Sequence, residues 1–295
     1  MEIPVASNRW IEENRRFFAP PIGNKLMYKG DLSVMFVGGP NGRRDFHIDE
    51  SAEFFFQITG NMELPIIENE RKRIVKIRQG DVFLLPSRVP HSPQRPEQGS
   101  VGLVIERARA DGIEYDCLRW YTDFDKCEEI EYEAYFACKD LGKDLLPAIQ
   151  EYKDFKQNDN EYNRPSILPI VENDSVITPE PFNLQAFVEK NKLKLQNGLH
   201  VPLFKNHPET EFNVFLSSKQ RELVTSLTCE VFVFQVQGTS VFTGGSGKHT
   251  LGPSACFVLK QGTKWMAERK HDPNTELIES VTLVMYINPS ANKSA

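Results

Sequence analysis

One strand pattern occurs twice in this chain, and the repeat limits the folds that the sequence can adopt. Phe56-Gln57-Ile58-Thr59-Gly60 aligns with Phe234-Gln235-Val236-Gln237-Gly238, and Phe83-x-Leu85 aligns with Phe257-x-Leu259. Around both copies, short apolar runs alternate with glycine turns, up to Arg107 and again over Glu211–Ile287. This spacing is typical of β barrels, and the repeat indicates a duplicated scaffold. The sequence therefore predicts a mainly β protein with two barrels in one chain.

Length and composition are compatible with two barrels. At 295 residues the chain is long for one barrel, and an apolar content of 40% can support two cores. The formal charge of −6 argues against a nucleic-acid partner. No apolar run approaches the ~18–20 residues of a membrane span, and the charged region around Trp10 does not fit a secretory signal. We expect a cytosolic protein with no membrane partner.

A few peripheral helices are predicted outside the barrels. They comprise a short helix over Arg9–Phe18, a helical pair over Ile130–Phe155 kinked at Pro147, and a helix from an N-cap at Asn183 to Gly198. The polar, proline-containing stretch Asn158–Pro181 has no period and is the best linker candidate. The expected domains are 1–162 and 180–295, joined by a linker at 163–179.

The cysteines argue against a disulfide framework and against a thiolate metal site. There are five of them, an odd number, and no two form a Cys-x-x-Cys pair. Their positions are Cys117, Cys127, Cys138, Cys229 and Cys256. Reduced thiols of a cytosolic protein are the expected state.

Three residues of the first β-rich region form a candidate metal site. His47 and Glu53 are separated by six residues, an even number that points both side chains to one face of extended structure. His91 follows an apolar strand and a turn stiffened by Pro86 and Pro90. Two imidazoles and one carboxylate are the ligands of a facial Fe(II) site. Taken singly, each residue is more often a satisfied packing residue than a ligand.

These two segments resemble the paired motifs of the cupin superfamily, whose fold is a double-stranded β-helix or jelly-roll barrel. The spacings from Glu53 to Gly60 and from Gly80 through Pro86 to His91 fit those motifs. Asp49 stands where the motif has its second histidine. The resemblance therefore implies two histidines and one carboxylate on the metal. Two further departures are arginines, Arg88 for an inner glycine and Arg95 for an asparagine.

Several strings are similar to those of animal-type 3-hydroxyanthranilate 3,4-dioxygenases. They include Asn24-Lys25-Leu26-Met27, Val34-Met35-Phe36-Val37-Gly38-Gly39-Pro40-Asn41, Phe83-Leu84-Leu85-Pro86, Val89-Pro90-His91-Ser92-Pro93-Gln94-Arg95 and Val101-Gly102-Leu103-Val104-Ile105-Glu106-Arg107. The resemblance implies an Fe(II)-dependent enzyme that opens 3-hydroxyanthranilate between carbons 3 and 4 with both atoms of O₂. Its product, 2-amino-3-carboxymuconate semialdehyde, leads to quinolinate and NAD in the kynurenine pathway. It also implies a monomer whose second barrel mimics a dimer partner.

The same resemblance implies roles for further residues. Arg95 would hold the substrate carboxylate, and Glu106 would take the hydroxyl proton or hold the amino group. Arg43 would orient O₂ and stabilise the charge that O₂ acquires, while Glu53 would contact the substrate as well as the metal. Without the resemblance, Arg43 and its neighbour Arg44 could equally be solvated turn residues.

The second copy is expected to hold no iron. Extending the repeat places Thr225, Val231 and Trp265 at the positions of His47, Glu53 and His91. None of the three can replace the ligand at its position, so this half should support the first barrel. No ligand spacing is present among the other histidines, for which we expect ordinary surface roles. They are His200, His207, His249 and His271.

Two other classes of function remain open from the sequence. One is a cupin isomerase or another metalloenzyme that uses Zn or Mn. The other is a metal-free two-barrel protein that binds ligands or proteins without catalysis. Metal analysis distinguishes the metal-free binding protein from the two kinds of metalloenzyme. O₂ uptake with 3-hydroxyanthranilate distinguishes the dioxygenase from an isomerase or another Zn or Mn enzyme.

Overall fold

The computed structural model describes residues 4–18, 23–158, 161–226, 228–245, 247–269 and 280–289. The strands up to residue 183 are β1 (Val5–Ala6), β2 (Asn24–Lys29), β3 (Leu32–Gly38), β4 (Asp45–Ile48), β5 (Glu53–Thr59), β6 (Met62–Glu68), β7 (Arg71–Ile77), β8 (Asp81–Leu85), β9 (Val101–Arg107), β10 (Asp116–Tyr121), β11 (Ile130–Phe136) and β12 (Phe182–Asn183). Those that follow are β13 (Val201–Pro202), β14 (Phe212–Ser217), β15 (Arg221–Ser226), β16 (Val231–Gln237), β17 (Ser240–Gly244), β18 (Gly247–Leu251), β19 (Ala255–Leu259), β20 (Thr263–Arg269) and β21 (Val281–Ile287). The α-helices are α1 (Ser7–Glu13), α2 (Leu141–Gln157), α3 (Leu184–Lys190) and α4 (Lys192–Gln196).

The chain forms two compact units. The first unit contains Arg16–Lys29 and Ser33–Asn183, and the second contains Leu184–Ala295 together with Met1–Arg15 and Gly30–Leu32. The stretch 161–181, where composition predicts a linker, contains neither helix nor strand. Composition does not predict the grouping of the amino-terminal segment with the second unit.

The first unit is built from antiparallel sheets, and its large sheet shares a core with β6 and β7. A six-stranded sheet has the order β12-β8-β5-β9-β3-β2, and smaller sheets contain β11-β10-β4 and β6-β7. Side chains from the large sheet, such as Phe55 and Phe83, pack in one cluster with Leu64 and Val75 of β6 and β7. Two sheets that pack their inner faces together form a jelly-roll barrel.

The second unit repeats this architecture. Its six-stranded sheet has the order β1-β19-β16-β21-β14-β13, and its four-stranded sheet has the order β15-β20-β17-β18. In the first unit Phe55 pairs with Phe83, and in the second Val233 pairs with Phe257. This is the register that the repeated strings predict. The expectation of a mainly β protein with two barrels is therefore confirmed.

A buried glutamine marks the same β-bulge in both units. Gln57 Nε2 donates to the carbonyl of Thr59 and to Ser100 Oγ, both at 2.9 Å. Gln235 Nε2 donates to the carbonyl two residues further on, at 2.7 Å, and to Ser280 Oγ, at 2.9 Å. The strand ladder shifts its register at each glutamine. A bulge that recurs with its hydrogen bonds is a shared structural device of the two barrels.

The helical pair expected over Ile130–Phe155 is wrong in its first half. Ile130–Phe136 is strand β11, paired with β10, and only Leu141–Gln157 is helical. Tyr132 and Ala134 point to one face of β11 and pack in one cluster with Leu145 of α2. Pro147 lies inside α2, in its second turn, and the helix continues past it despite the missing N–H.

The helix expected from Asn183 to Gly198 is divided in two. Asn183 belongs to the short strand β12, and α3 and α4 are separated at Asn191. Gly198 ends this region as expected, with the positive φ of 67° that suits glycine after a helix. The amino-terminal helix is also shorter than expected, since α1 ends at Glu13 and a 3₁₀ turn covers Arg15–Phe17.

Two further observations concern the whole of the described chain. Among its helices, none has the length and apolar character needed to cross a membrane. The five cysteines are free thiols, and four of them are buried.

Candidate metal centre

The backbone brings the two candidate histidine ligands side by side. His47 lies on β4, and His91 pairs with it through an antiparallel bridge. The amide of His47 donates to the carbonyl of His91 at 2.7 Å, and the amide of His91 donates back at 2.9 Å. A second bridge joins His91 to Ile66 of β6. His91 therefore occupies a strand position between β4 and β6, although it lies outside a regular strand.

Glu53 completes a compact cluster with the two imidazoles. It is the first residue of β5 and shares a face with Phe55 of the core. Its Oε1 lies 3.1 Å from Nε2 of His91 and 3.9 Å from Nδ1 of His47. All three side chains are buried. The structure thus brings together the three residues that the sequence selects as metal ligands.

Asp49 is a fourth member of this cluster. One ligand atom from each of His47, Asp49, Glu53 and His91 lies within 4.8 Å of the others. Asp49 Oδ2 is 3.7 Å from Nδ1 of His47 and accepts a hydrogen bond from Arg109 at 2.9 Å. In the resemblance to cupins, Asp49 only replaces the second histidine of the motif. In the structure, its carboxyl group lies beside the candidate ligands.

Hydrogen bonds fix how each imidazole faces the cluster. Nδ1 of His91 bonds to the carbonyl of Val89 at 3.0 Å, so that Nε2 is directed towards Glu53. Nε2 of His47 bonds to Asp116 at 2.9 Å, and its Nδ1 is the nitrogen nearer Glu53. A second hydrogen bond that sets the tautomer of a histidine is typical of metal ligands.

Burial and mutual charge set the protonation states of the three candidate ligands. Burial raises the pKa of Glu53, but the positive charge and hydrogen bond of His91 outweigh burial and hold this pKa well below its usual range. Burial lowers the pKa of His47, although Asp116 opposes the shift. Glu53 is therefore an ionised carboxylate and His47 a neutral imidazole near neutral pH. These are the protonation states in which the two side chains bind metals. Burial lowers the pKa of His91, but the charge and hydrogen bond of Glu53 outweigh burial and raise it, so a metal would displace a proton from His91.

Arg95 presents an unpartnered guanidinium to the same cavity. Its side chain is 1% exposed, and its Nε and Nη2 have no hydrogen-bond partner among the described residues. Burial lowers its pKa to about 10, while the charge of Glu53 opposes the shift, so the group stays charged at neutral pH. Gly102 leaves the space that Arg95 needs, because a Cβ there would lie 3.1 Å from Nη2. A buried unpaired cation is costly unless an anion binds it.

Arg43 also lines the cavity, but it has a carboxylate partner. Its guanidinium forms an ion pair with Asp45, with 3.2 Å between Nε and Oδ1. Its backbone amide donates to Gln94 Oε1 at 3.0 Å, which ties the Arg43 turn to the segment after His91. Only 17% of the Arg43 side chain is exposed. The alternative of a solvated turn arginine therefore does not apply.

Glu106 is buried on β9, beside the start of β5. Phe54 pairs with Ile105, so Glu106 lies one step along the ladder from that pair, near Glu53. Its Oε2 is 3.0 Å from Arg109 Nη1. Burial raises the pKa of Glu106 to about 7, although the charge of Arg109 opposes the shift. Glu106 does not line the cavity that Arg95 faces.

The sequence reasoning missed Arg109 and Asp116. Arg109 contacts three carboxylates, those of Asp49, Glu106 and Asp116, and its side chain is 4% exposed. Asp116 opens strand β10, which pairs with β4 so that Leu118 is opposite His47. The only sequence signal was an acidic residue at the start of an apolar strand. The pairing of β10 with β4 gives this residue its place, and short-range patterns do not predict that pairing.

The cavity at the cluster is small and closed by the start of α2. It has a volume of about 50 Å³, and Leu141 and Leu145 line it together with the ligands and Arg95. This volume is far below the ~300–1,000 Å³ of typical ligand pockets. A ligand of the size of an aromatic ring therefore requires this cavity to widen.

The second unit has apolar residues where the first has its ligands, with one correction. Trp265 pairs with Val224, which reproduces the pairing of His91 with His47. Val224 therefore takes the place of His47, and the expectation of Thr225 is wrong by one residue. Thr225 faces outward, because a shift of one position reverses the face of a strand. Val224, Val231 and Trp265 all belong to the apolar core.

The remaining histidines lie outside the metal cluster. His200 pairs with Glu222, His207 accepts from the amide of Glu209 at 3.0 Å, and the ring of His249 lies 5.7 Å from that of Trp265. His271 lies outside the described residues. A candidate metal site of three or more histidine, cysteine, aspartate or glutamate side chains occurs once within the described ranges, at the cluster around Glu53.

Comparisons with known proteins find similar sequences over most of the chain. The family model described as 3-hydroxyanthranilic acid dioxygenase matches residues 1–153. A 3-hydroxyanthranilate 3,4-dioxygenase from Rattus norvegicus is 40% identical over 99% of this chain and 99% of its own length. One from Xenopus tropicalis is 38% identical over 91% and 95%. A solved oxalate decarboxylase from Bacillus subtilis is 17% identical, with a TM-score of 0.48 over 87% of this chain and 68% of its own.

Proposed function

The chain belongs to the 3-hydroxyanthranilic acid dioxygenase family, and from this premise we propose that Fe(II), held by His47, Glu53 and His91, serves catalysis in the first unit. The enzyme is a ring-opening dioxygenase of 3-hydroxyanthranilate. It consumes O₂ and forms 2-amino-3-carboxymuconate semialdehyde, the precursor of quinolinate in tryptophan breakdown.

The donor set supports Fe(II) as the metal. Two imidazoles and one carboxylate on one side of an ion form the facial triad of non-haem Fe(II) oxygenases. Fe(II) would supply a shared coordination sphere in which the aminophenol group of the substrate and O₂ meet. Val89 and Asp116 hold the rings of the two histidine ligands in place.

The unpartnered guanidinium of Arg95 is the single observation that carries the substrate assignment. It lines the same cavity as His47, Glu53 and His91. The carboxylate of 3-hydroxyanthranilate supplies the anion that Arg95 lacks, and a guanidinium fork binds a carboxylate through two parallel hydrogen bonds. Arg95 thereby orients the ring so that its hydroxyl and amino groups face the ligand cluster.

Glu106 is proposed as the group that takes the hydroxyl proton of the substrate. A base works best when its pKa lies near the working pH, and burial raises the pKa of Glu106 to about 7. Glu106 does not line the present cavity, so its contact with the substrate requires the cavity to widen. Once substrate is bound, Leu141 and Leu145 exclude water from the reacting ring.

Arg43 is proposed to orient O₂ and to stabilise the negative charge that develops on it. Its side chain lines the cavity, and its charge acts on His91. A fixed cation at the place where negative charge develops lowers the barrier without reorganisation. Asp45 holds the guanidinium in position from the other side.

The proposal extends to location, assembly and domain limits. Five free thiols fit the reducing cytosol. A second barrel within the same chain can take the role of a dimer partner, which favours a monomer. We place the catalytic domain at 1–162, the linker at 163–179 and the metal-free domain at 180–295.

Metal replacement tests the proposed function. Protein stripped of metal is divided into portions that receive Fe(II), Zn(II), Mn(II) or no metal, without oxygen. Each portion then receives 3-hydroxyanthranilate and measured O₂. We expect ring-opened product only in the portion that received Fe(II). In that portion 2-aminophenol, which lacks the carboxylate, should react poorly. Equal activity with Zn(II), or no binding of any metal, would favour the rival classes.

A further inference from the structure

We propose that Asp116 and Arg109 act together as positioning residues that hold His47 in its metal-binding orientation. This inference rests on the metal centre proposed above. It adds two residues from outside the paired motifs that carry the ligands. It also gives the buried arginine a part in metal binding beyond neutralising its acidic neighbours.

Asp116 makes direct contact with the ring of His47. Its Oδ2 lies 2.9 Å from His47 Nε2, and both side chains are buried. The backbones of both residues are fixed by the ladder between β4 and β10, in which Leu118 pairs with His47. A carboxylate on the second nitrogen of a ligand histidine fixes the ring and increases its basicity. Asp116 is therefore placed to set the direction of the nitrogen that faces Glu53.

Arg109 fixes the carboxylate of Asp116 in turn. Its Nε donates to Oδ1 at 2.9 Å and its Nη2 to Oδ2 at 3.0 Å. Two parallel bonds from a planar guanidinium hold a carboxylate in one plane. The oxygen that His47 uses is thus shared with Arg109 and cannot turn away without breaking this pair.

Arg109 also reaches the other side of the site. It donates to Asp49 Oδ2 at 2.9 Å, and its Nη1 lies 3.0 Å from Glu106 Oε2. The guanidinium of Arg109 therefore connects Asp116, which contacts the ligand His47, to Glu106, the proposed base. A substitution at Arg109 should disturb both, whereas a substitution at Asp116 should act mainly on His47.

The alternative is that Asp116 and Arg109 only stabilise the fold. A second buried carboxylate that is paired with arginines serves as a control for this alternative. Glu133 of β11 is buried between Arg119 and Arg164, at 2.7 Å from Nε of each. This network belongs to the same unit and resembles that of Asp116 in burial and charge, but the described hydrogen-bond partners of Glu133 are arginines and tyrosines outside the metal cluster. Glu133→Gln therefore reports what loss of a buried arginine–carboxylate pair does by itself.

Binding of Co(II) tests the inference without reference to activity. The full-length protein, stripped of metal, is titrated with Co(II), whose visible spectrum reports its ligands. We expect Asp116→Asn to weaken Co(II) affinity by about 10–100-fold and to alter the spectrum. Glu133→Gln should bind Co(II) as the wild type does. Thermal unfolding of each variant establishes that it is folded.

Arg109→Lys provides a second variant if Asp116→Asn does not fold. Lysine keeps the positive charge among the three carboxylates but removes the fork that holds Asp116. We expect a smaller loss of Co(II) affinity with a similar spectral change. Wild-type affinity and spectrum in both folded variants, or an equal loss in Glu133→Gln, would overturn the inference. Failure of the wild type itself to bind Co(II) would overturn the metal centre as well.

Discussion

His47 and His91 exchange two backbone hydrogen bonds, with N···O distances of 2.7 and 2.9 Å, although four strands of the chain lie between them. Their ring centroids are 5.2 Å apart. A β-bridge therefore holds the ligand pair together, although His91 lies outside a regular strand. A site on rigid elements keeps its geometry before any metal binds.

Removal of one ligand should abolish metal binding without unfolding the barrel. In His91→Ala the backbone bridge to His47 remains, but the nitrogen 3.1 Å from Glu53 is lost. We expect less than a tenth of the wild-type iron content after anaerobic loading, measured by elemental analysis. His249→Ala is the control, since that ring lies beside Trp265 in the second unit, and it should keep full iron content. Equal iron in both variants would contradict the ligand assignment.

Removal of the guanidinium should weaken substrate binding and leave the metal in place. A charge-assisted hydrogen bond contributes about 1.5–3 kcal/mol, so Arg95→Ala should raise KM by roughly 10–100-fold. Iron content should stay at the wild-type level. With 2-aminophenol, which has no carboxylate for Arg95 to bind, the variant and the wild type should have similar KM values. An unchanged KM for 3-hydroxyanthranilate would show that Arg95 has another role.

The same arginine should lower the stability of the substrate-free enzyme. Nε and Nη2 of Arg95 are buried and have no hydrogen-bond partner in the part of the chain that the structure describes. An unsatisfied buried donor costs about 1–3 kcal/mol, or more when charged. Arg95→Met should therefore raise the free energy of unfolding by about that amount, measured by urea denaturation. Arg119→Met is the control, because Arg119 is buried with Glu133 and Glu172 as partners. That variant should lose stability, by about 3–5 kcal/mol. A loss of stability in Arg95→Met would indicate that this cation has partners within the protein.

The pH dependence of catalysis should reflect Glu106. Burial raises its pKa to about 7, and a base acts only when it is ionised. The value of kcat/KM should therefore rise with pH up to about 7 and level off above it. Glu106→Gln should reduce kcat/KM strongly and should lack this rise, while its iron content stays unchanged. A wild-type profile with no inflection near pH 7 would argue against Glu106 as the base.

Much of the fold could be predicted from the sequence because the repeat is local and regular. The strings around Gln57 and Gln235 gave the correct register of both large sheets. The error at Ile130–Phe136 arose because aromatic and apolar residues there fit both a helical and an alternating pattern. Only pairing with β10 decides between the two.

Some residues of the candidate site could be predicted from the sequence and others could not. Glu53 and the two histidines stand in recognisable local motifs, so the sequence selected them. Asp116 and Arg109 could not be found, because long-range pairing of β10 with β4 gives them their places. The misplacement of Thr225 has a simple cause. The connection from Val224 to Val231 spans one residue more than the connection from His47 to Glu53, and spacing along the chain therefore failed there.

Consumption of labelled dioxygen tests the central claim most directly. Full-length enzyme, loaded with Fe(II) in the absence of air, is mixed with 3-hydroxyanthranilate and ¹⁸O₂. We predict that one O₂ disappears for each ring opened, that the absorbance of the semialdehyde appears, and that both labelled oxygen atoms are found in the product before it closes to quinolinate. No O₂ uptake after Fe(II) has been restored, or a product that carries no label, would contradict the account.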